Sequence, residues 1–179
     1  MLIKIVIGLV VVGAGVAGVV ATRPSEFRVV RSTIIAAPAP VIFARVNDFH
    51  RWDAWNPWAK VDPAMKQTYE GAPSGVGAVY TWAGNREAGE GRMTIIESRP
   101  NDLIRVRLEF LKPFAGTSVA EFVLRPEGSQ TVVTWSMAGT KNFVAKAIHL
   151  VMSMDRMIGG QFEKGLAQMK TVAEKAARS

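Results

Sequence analysis

The feature that most constrains the fold is a change in the spacing of apolar residues near Asn142. Before this point, short stretches of alternating apolar and polar residues are separated by turn sequences rich in Gly, Pro, Asn and Asp. After it, apolar residues recur every three or four positions up to Ala173. The first spacing predicts strands and the second predicts a helix. We therefore expect an antiparallel sheet followed by one long amphipathic helix, with a bend or a close contact at Gly159 and Gly160.

The strand predictions rest on alternation between turn sequences. The stretch "LIRVRLEFL" is the clearest, because its aliphatic and aromatic residues share one face while arginines and a glutamate share the other. Such a pattern is typical of a half-buried antiparallel strand. A short helix is predicted in "VIFARVND", after the first strand. The predicted strands are residues 27–37, 66–71, 77–83, 90–98, 103–111, 117–125 and 130–138.

Residues 1–22 form a separate apolar segment. The part "IVIGLVVVGAGVAGVVA" is uncharged, and a helix of about 20 residues spans the hydrocarbon core of a bilayer. The segment therefore predicts a transmembrane anchor, followed by a short linker at residues 23–26 and one folded domain at residues 27–179. A secretory signal is the alternative, since Lys4 and the small residues near position 21 suit one.

The same segment bears on assembly and orientation. Small residues lie four positions apart, Gly13 with Ala17 and Ala14 with Gly18. This spacing allows two membrane helices to approach closely, so a homodimer through residues 1–22 is compatible with the sequence. The orientation stays open, because basic residues flank the segment on both sides. A single-pass protein of the bacterial inner membrane is the expected localisation, with the side of the folded domain undetermined.

Charge and residue types exclude several classes of function. The net charge is +7, from 22 basic and 15 acidic residues, which suits anionic partners such as phospholipid headgroups. The basic residues form no run, so nucleic acid is not expected as a partner. The chain has no cysteine and only two histidines, His50 and His149, so we expect no metal site. No nucleotide-binding or nucleophile motif occurs, and no cofactor is expected.

Three tryptophans stand close together in "DFHRWDAWNPWAK", residues 48–60. Aromatic side chains at this density can form a core, line a ligand pocket or lie at a membrane interface. The residues themselves leave these three alternatives open.

Several segments together resemble the START/Bet v 1-like (SRPBCC) superfamily, and within it the bacterial polyketide cyclase/dehydrase and lipid transport group. The resemblance rests on "RSTIIAAPAPVIFARVNDFHRWDAWNPW", "YEGAPSGVGAVYTWAGN", "GEGRMTI", "PFAGTSVAEFVL", "TVVTWSMAG" and "MDRMIGGQFEKGLAQMK". It implies an α+β helix-grip fold, in which a curved antiparallel β-sheet wraps around a long C-terminal α-helix. It also implies a hydrophobic cavity between the sheet and the helix.

The resemblance assigns candidate ligand-binding residues to that cavity. Aromatic and methionine side chains at inward positions suit an irregular apolar ligand, although a well-filled core uses the same residues. Trp52 and Trp55 are expected near the entrance. The predicted lining residues are Trp82, Met93, Trp135, Met137, Met154 and Met157.

Glu97 is the one candidate catalytic residue. It shares strand parity with Met93 and Ile95, so it would face the cavity if those residues do, and burial would raise its pKa. A twist or bulge that leaves Glu97 in solvent is the alternative. The leading hypothesis is a membrane-tethered module that binds a hydrophobic small molecule or lipid. The alternatives are a cyclase or dehydratase that uses a cavity carboxylate, and a regulatory interaction domain with a filled cavity.

Overall fold

The fold is that of a computed structural model, which describes residues 14, 15, 17–59, 61–141, 143–148 and 153–178. A helical stretch at residues 17–22 precedes the domain. The elements that follow, in chain order, are β1 (Glu26–Ile35), α1 (Ala39–Val46), a 3-10 helix (Phe49–Ala54), β2 (Lys66–Gly71), β3 (Ala78–Ala83), β4 (Glu90–Arg99), β5 (Leu103–Lys112), β6 (Gly116–Glu127), β7 (Gln130–Thr140), α2 (Phe143–Ile148) and α3 (Met154–Ala177).

The seven strands form one antiparallel sheet in the order β1-β7-β6-β5-β4-β3-β2. Because every pairing is antiparallel, successive connections lie at alternate ends of the sheet. The Glu26 end contains the start of β1, the hairpin loops at residues 84–89 and 113–115, and the connection from β7 to α2. The Ile35 end contains the end of β1 and the turns at residues 72–77, 100–102 and 128–129. The α+β helix-grip architecture is therefore confirmed.

Helix α3 lies along β1 and covers the concave face of the sheet toward the Ile35 end. Near its start it is bound to the side chain of Arg31. Near its end, Lys170 donates to the carbonyl of Ile34 at 3.0 Å, and Glu174 accepts from the amide of Ala36 at 2.9 Å. Its apolar stripe faces the sheet, with Phe162, Leu166, Met169 and Ala173 all buried.

The prediction of one unbroken C-terminal helix from Asn142 is wrong. Ser153 has an extended backbone, with φ −79° and ψ 117°, and its side chain accepts a hydrogen bond from the amide of Arg156 at 3.4 Å. A serine in this position caps the amino end of a helix, so α3 starts afresh at Met154. The helix runs continuously through Gly159, where the guanidinium group of Arg31 occupies the space that a Cβ atom would need. The expected feature at Gly159 is thus a close contact.

Among the residues described, none of the helices has the length and apolar character needed to span a bilayer. Most of the segment predicted to be an anchor, residues 1–13 and 16, lies outside the described residues.

Candidate functional site

The concave face has two halves that differ in packing. The Ile35 half, which α3 covers, is filled by aromatic rings. Trp135 of β7 stacks on Phe162 of α3 with ring centroids 4.0 Å apart and planes 11° from parallel. On the sheet, Trp135 also stacks on Phe122 at 4.9 Å. The helix therefore packs directly on the sheet here, with aromatic rings in the space between them.

Trp52 and Trp55 belong to the same aromatic cluster. They are 6% and 0% exposed, and their ring centroids lie 4.8 Å apart. Each indole is fixed by a hydrogen bond, from Trp52 to the carbonyl of Val46 at 2.9 Å and from Trp55 to that of Arg45 at 3.3 Å. Both rings are core residues that seal α1 and the 3-10 helix onto the sheet. Trp58 is 38% exposed and lies at the edge of the cluster.

The Glu26 half of the concave face has a floor of small residues. Pairing across the sheet aligns Ser118 with Gly139, and Ala120 lies two residues further along β6. Gly91 of β4 is the fourth position without a large side chain. These residues face inward because they share strand parity with Phe122, Met137 and Met93, which are buried. Larger side chains cover these small ones: the indole of Trp82 takes the space above Gly91, and the ring of Phe27 with the hydroxyl of Ser118 takes the space above Gly139.

Large apolar side chains surround this floor. The indole of Trp82 lies over Gly91, donates to the carbonyl of Ala88 at 3.0 Å, and meets the ring of Phe110 edge-on at 6.1 Å. Met93 and Met137 are 7% and 6% exposed on the inner face. Three further residues, which the sequence did not single out as ligand-binding, are only half-buried around the floor: Phe27, Leu108 and Phe110.

The predicted site residues occupy both halves of one continuous core. Trp82, Met93 and Met137 lie beside the small-residue floor, whereas Trp52, Trp55 and Trp135 lie among the aromatic rings of the Ile35 half. Met157 of α3 is 48% exposed. Met154 begins α3, but its side chain lies outside the described part of the chain. The alternation in β5 already placed Leu108 and Phe110 on the inner face, so that pattern was the sequence feature that could have identified them.

Glu97 does not face the concave side. The β4–β5 pairing shifts between Ile95 and Glu97, because Ile96 is an extra residue in β4. A bulge of this kind reverses the face on which the following residues lie. Glu97 consequently pairs with Arg105 of β5, at 2.5 Å between Oε2 and Nη1, and its side chain is 35% exposed. Arg105 also binds Glu121 at 2.7 Å. The carboxylate is therefore part of an ion-pair network.

A small cleft of about 110 Å³ lies beside the edge strand β2. His50 stacks on Tyr69 there at 4.1 Å, and Asp48 accepts a hydrogen bond from the backbone amide of His50 at 2.9 Å. Burial, followed by the charges of Asp53 and Asp48, raises the pKa of Tyr69. The cleft is smaller than the roughly 300 Å³ at which small-molecule pockets begin. Within the described ranges, no group of three or more potential metal ligands is found.

Comparison with protein families assigns the chain. The model of the family described as "Polyketide cyclase / dehydrase and lipid transport" matches residues 26–174, so the chain belongs to this family. A comparison with curated proteins finds no match. The matched residues run from the start of β1 into the last turns of α3, and thus include both halves of the concave face.

Solved structures show the same fold at low sequence identity. A protein from Mesorhizobium loti has a TM-score of 0.60 at 16% identity, covering 83% of this chain and 98% of its own. The Aha1 dimer from Colwellia psychrerythraea has a TM-score of 0.60 at 14% identity, with coverages of 83% and 96%. The di-domain ARO/CYC StfQ from the steffimycin biosynthetic pathway has a TM-score of 0.62 at 12% identity, with coverages of 87% and 53%. These similarities concern the fold.

Proposed function

We propose that the protein is a membrane-tethered binding module for a hydrophobic small molecule or lipid. The ligand lies against the half-buried side chains of the Glu26 half of the concave face, which are Phe27, Trp82, Leu108 and Phe110. These side chains surround the floor formed by Gly91, Ser118, Ala120 and Gly139. The observation that carries this proposal is the set of half-buried apolar side chains around a floor of small residues. In the Ile35 half, by contrast, the central rings of Trp55, Phe122 and Phe162 are at most 1% exposed.

The tether is residues 1–22, whose length and composition suit a membrane span. We place the protein in the bacterial inner membrane on this basis. Extraction of membranes with alkaline carbonate should leave the full chain in the pellet. A chain that begins near Thr22 in its natural host would instead indicate a cleaved signal. A homodimer through Gly13, Ala17 and Gly18 stays a prediction of the sequence.

The ligand proposal is tested by what the protein carries from the cell. Native mass spectrometry of the purified full chain, followed by extraction and identification of apolar molecules, should reveal a bound ligand. Ser118 is 6% exposed, so Ser118→Leu should displace the half-buried side chains above it and abolish binding. Thr117→Leu is the matched control, because the neighbouring residue on β6 points to the opposite face of the sheet and is exposed. Equal ligand content in the two variants would contradict the proposed position.

Two alternatives are outcomes of the same experiment. A regulatory domain with a filled interior would carry no apolar molecule and would show no change in tryptophan fluorescence across fatty acids, phospholipids and polycyclic compounds. A cyclase or dehydratase would convert its ligand. The ion pair of Glu97 with Arg105 argues against Glu97 as its acid or base, so Glu97→Gln should leave any conversion unchanged.

A further inference from the structure

The Glu26 end of the sheet carries large apolar side chains that face solvent. In the β5–β6 hairpin, Leu111 is 61% exposed and Phe114 is 56% exposed. Phe143, the first residue of α2, is 54% exposed. The amide of Lys141 donates to the carbonyl of Ser25 at 2.7 Å, so the chain enters α2 beside the start of β1. The three apolar side chains thus belong to elements at the same end of the sheet.

The apolar N-terminal segment joins the domain at this end. Its uncharged part finishes at Ala21, and β1 begins at Glu26. The four residues between them span at most about 14 Å when fully extended. If residues 1–22 lie in a bilayer, as proposed above, the Glu26 end must lie close to the headgroups and the Ile35 end must lie further away.

Charge at this end is compatible with an anionic surface. Basic side chains outnumber acidic ones here, although Lys112 is paired with Glu90 at 2.8 Å. Clusters of Lys and Arg close to a membrane are attracted by anionic lipids, and apolar side chains can enter the headgroup region beside them. The basic residues are Arg23, Lys66, Arg86, Lys112 and Lys141, and the acidic ones are Glu26, Asp62, Glu87 and Glu90.

We propose that Leu111, Phe114 and Phe143 form a docking surface for an anionic phospholipid bilayer. Docking at this surface turns the Glu26 half of the concave face toward the lipid, so an apolar ligand passes between membrane and protein without crossing water. The proposal rests on the tether of the proposed function, but it adds a second contact with the membrane, which is made by the folded domain itself.

Site-specific labels test the proposal in the full chain, which contains no cysteine. Ala115→Cys places an environment-sensitive fluorophore beside Phe114, and Ser74→Cys places the same fluorophore in the turn at the Ile35 end. Each labelled protein is reconstituted into phosphatidylcholine and phosphatidylglycerol vesicles that carry nitroxide-labelled acyl chains. Flotation reports whether the chain is bound, and nitroxide quenching reports whether the label reaches the lipid.

We expect quenching of the label at position 115 and none at position 74. Adding Phe114→Asp should lower the docking equilibrium constant about tenfold, because one apolar side chain no longer leaves water, while flotation persists. Val76→Asp is the matched control, since Val76 is 58% exposed at the opposite end and its replacement should leave quenching unchanged.

Three results would overturn the proposal. A floating chain with no quenching at position 115 would leave the tether intact and remove the docking surface. Equal quenching at positions 115 and 74 would show that the domain has no preferred orientation. A chain that does not float would remove the tether and the docking surface together. Ligand content is measured separately, so the binding proposal stands or falls independently of all three.

Discussion

The two halves of the concave face are built from the same strands but are packed differently. In the Ile35 half, Trp135 stacks on Phe162 at 4.0 Å, and the rings of the 3-10 helix close the remaining gaps. In the Glu26 half, the same strands carry Ser118, Ala120 and Gly139, and apolar residues around them stay half-buried. Stacked aromatic rings between helix and sheet bury their apolar surface almost completely, whereas the side chains around the small residues keep part of theirs in contact with solvent.

With the proposed function, the difference separates residues that stabilise the fold from residues that bind a ligand. A stacked aromatic pair between helix and sheet adds to the free energy of unfolding beyond the area that it buries. A half-buried side chain adds less, because part of its surface stays in contact with water in the folded protein. Substitutions in the Ile35 half should therefore act on stability, and substitutions in the Glu26 half should act mainly on ligand binding.

The largest expected effect is that of Phe162→Ala. Phe162 is 1% exposed and lies between Trp135 and the body of α3, so its truncation should lower the free energy of unfolding by about 3–5 kcal/mol. Phe110→Ala in the Glu26 half is the matched comparison, with an expected loss of about 1–2 kcal/mol because the ring is only half-buried. Urea unfolding followed by circular dichroism measures both. Equal losses of unfolding free energy in the two variants would contradict the proposed difference in packing between the two halves.

Arg31 marks the border between the halves and binds the start of α3 to β1. Its guanidinium group donates to both carboxylate oxygens of Asp155 at 2.9 Å, to Glu163 at 2.6 Å, and to the backbone carbonyls of Asp155 at 3.1 Å and Val30 at 2.8 Å. All five N–H donors of an arginine are thereby used. The group lies against Gly159, which has no side chain to obstruct it.

The second-largest expected effect is a difference in the free energy of unfolding between substitutions at the two neighbouring glycines of α3. Gly160→Ala should raise the free energy of unfolding by about 0.5–1 kcal/mol, because alanine favours a helix and nothing lies within 4 Å of the added atom. Gly159→Ala should lower it, because the methyl group displaces the guanidinium group of Arg31 and its five hydrogen bonds. Thermal and urea unfolding of both variants provide the measurement. A stabilising Gly159→Ala would mean that Arg31 contributes little to holding α3 on β1.

The sequence predicted the sheet closely because alternation and turn residues act locally. All seven predicted strands are present, and the bounds differ by a few residues at most. The break before α3 was missed, since apolar spacing continues across Ser153 while the cap depends on a local hydrogen bond. The resemblance to the SRPBCC superfamily supplied the relation of helix to sheet, which periodicity alone does not contain.

The candidate site was less predictable because it depends on contacts between distant residues. Parity placed Glu97 beside Met93 and Ile95, but one extra residue in β4 moved it to the other face. A bulge depends on how two strands pair, so it cannot be predicted from the sequence of either strand alone. Likewise, tryptophan content alone did not distinguish Trp55, which is fully buried, from Trp82, which stays half-buried at the floor of small residues.

The smallest expected effect is a pH dependence that comes from Asp155. Hydrogen bonds from Arg31, more than the charge attraction, lower the pKa of this carboxyl group below its ordinary value, which is about 3.9 in an unfolded chain. A lowered folded pKa means that the ion pair stabilises the fold above about pH 4, and that this contribution is lost as the pH falls through the folded value. Asp155 is exposed, so solvent screening keeps the effect small.

Asp155→Asn removes this contribution and leaves Glu163 in place as the second partner of Arg31. The difference in urea midpoint between the natural chain and the variant should be constant from neutral pH down to about pH 5 and should disappear at strongly acidic pH, where Asp155 is protonated in both states. Glu174→Gln is the control at the far end of α3. The carboxylate of Glu174 accepts a hydrogen bond from the amide of Ala36. A midpoint difference for Asp155→Asn that stays unchanged down to strongly acidic pH would show that Asp155 acts through helix formation alone. The charge of Asp155 would then not contribute to the attachment of α3 to Arg31 of β1.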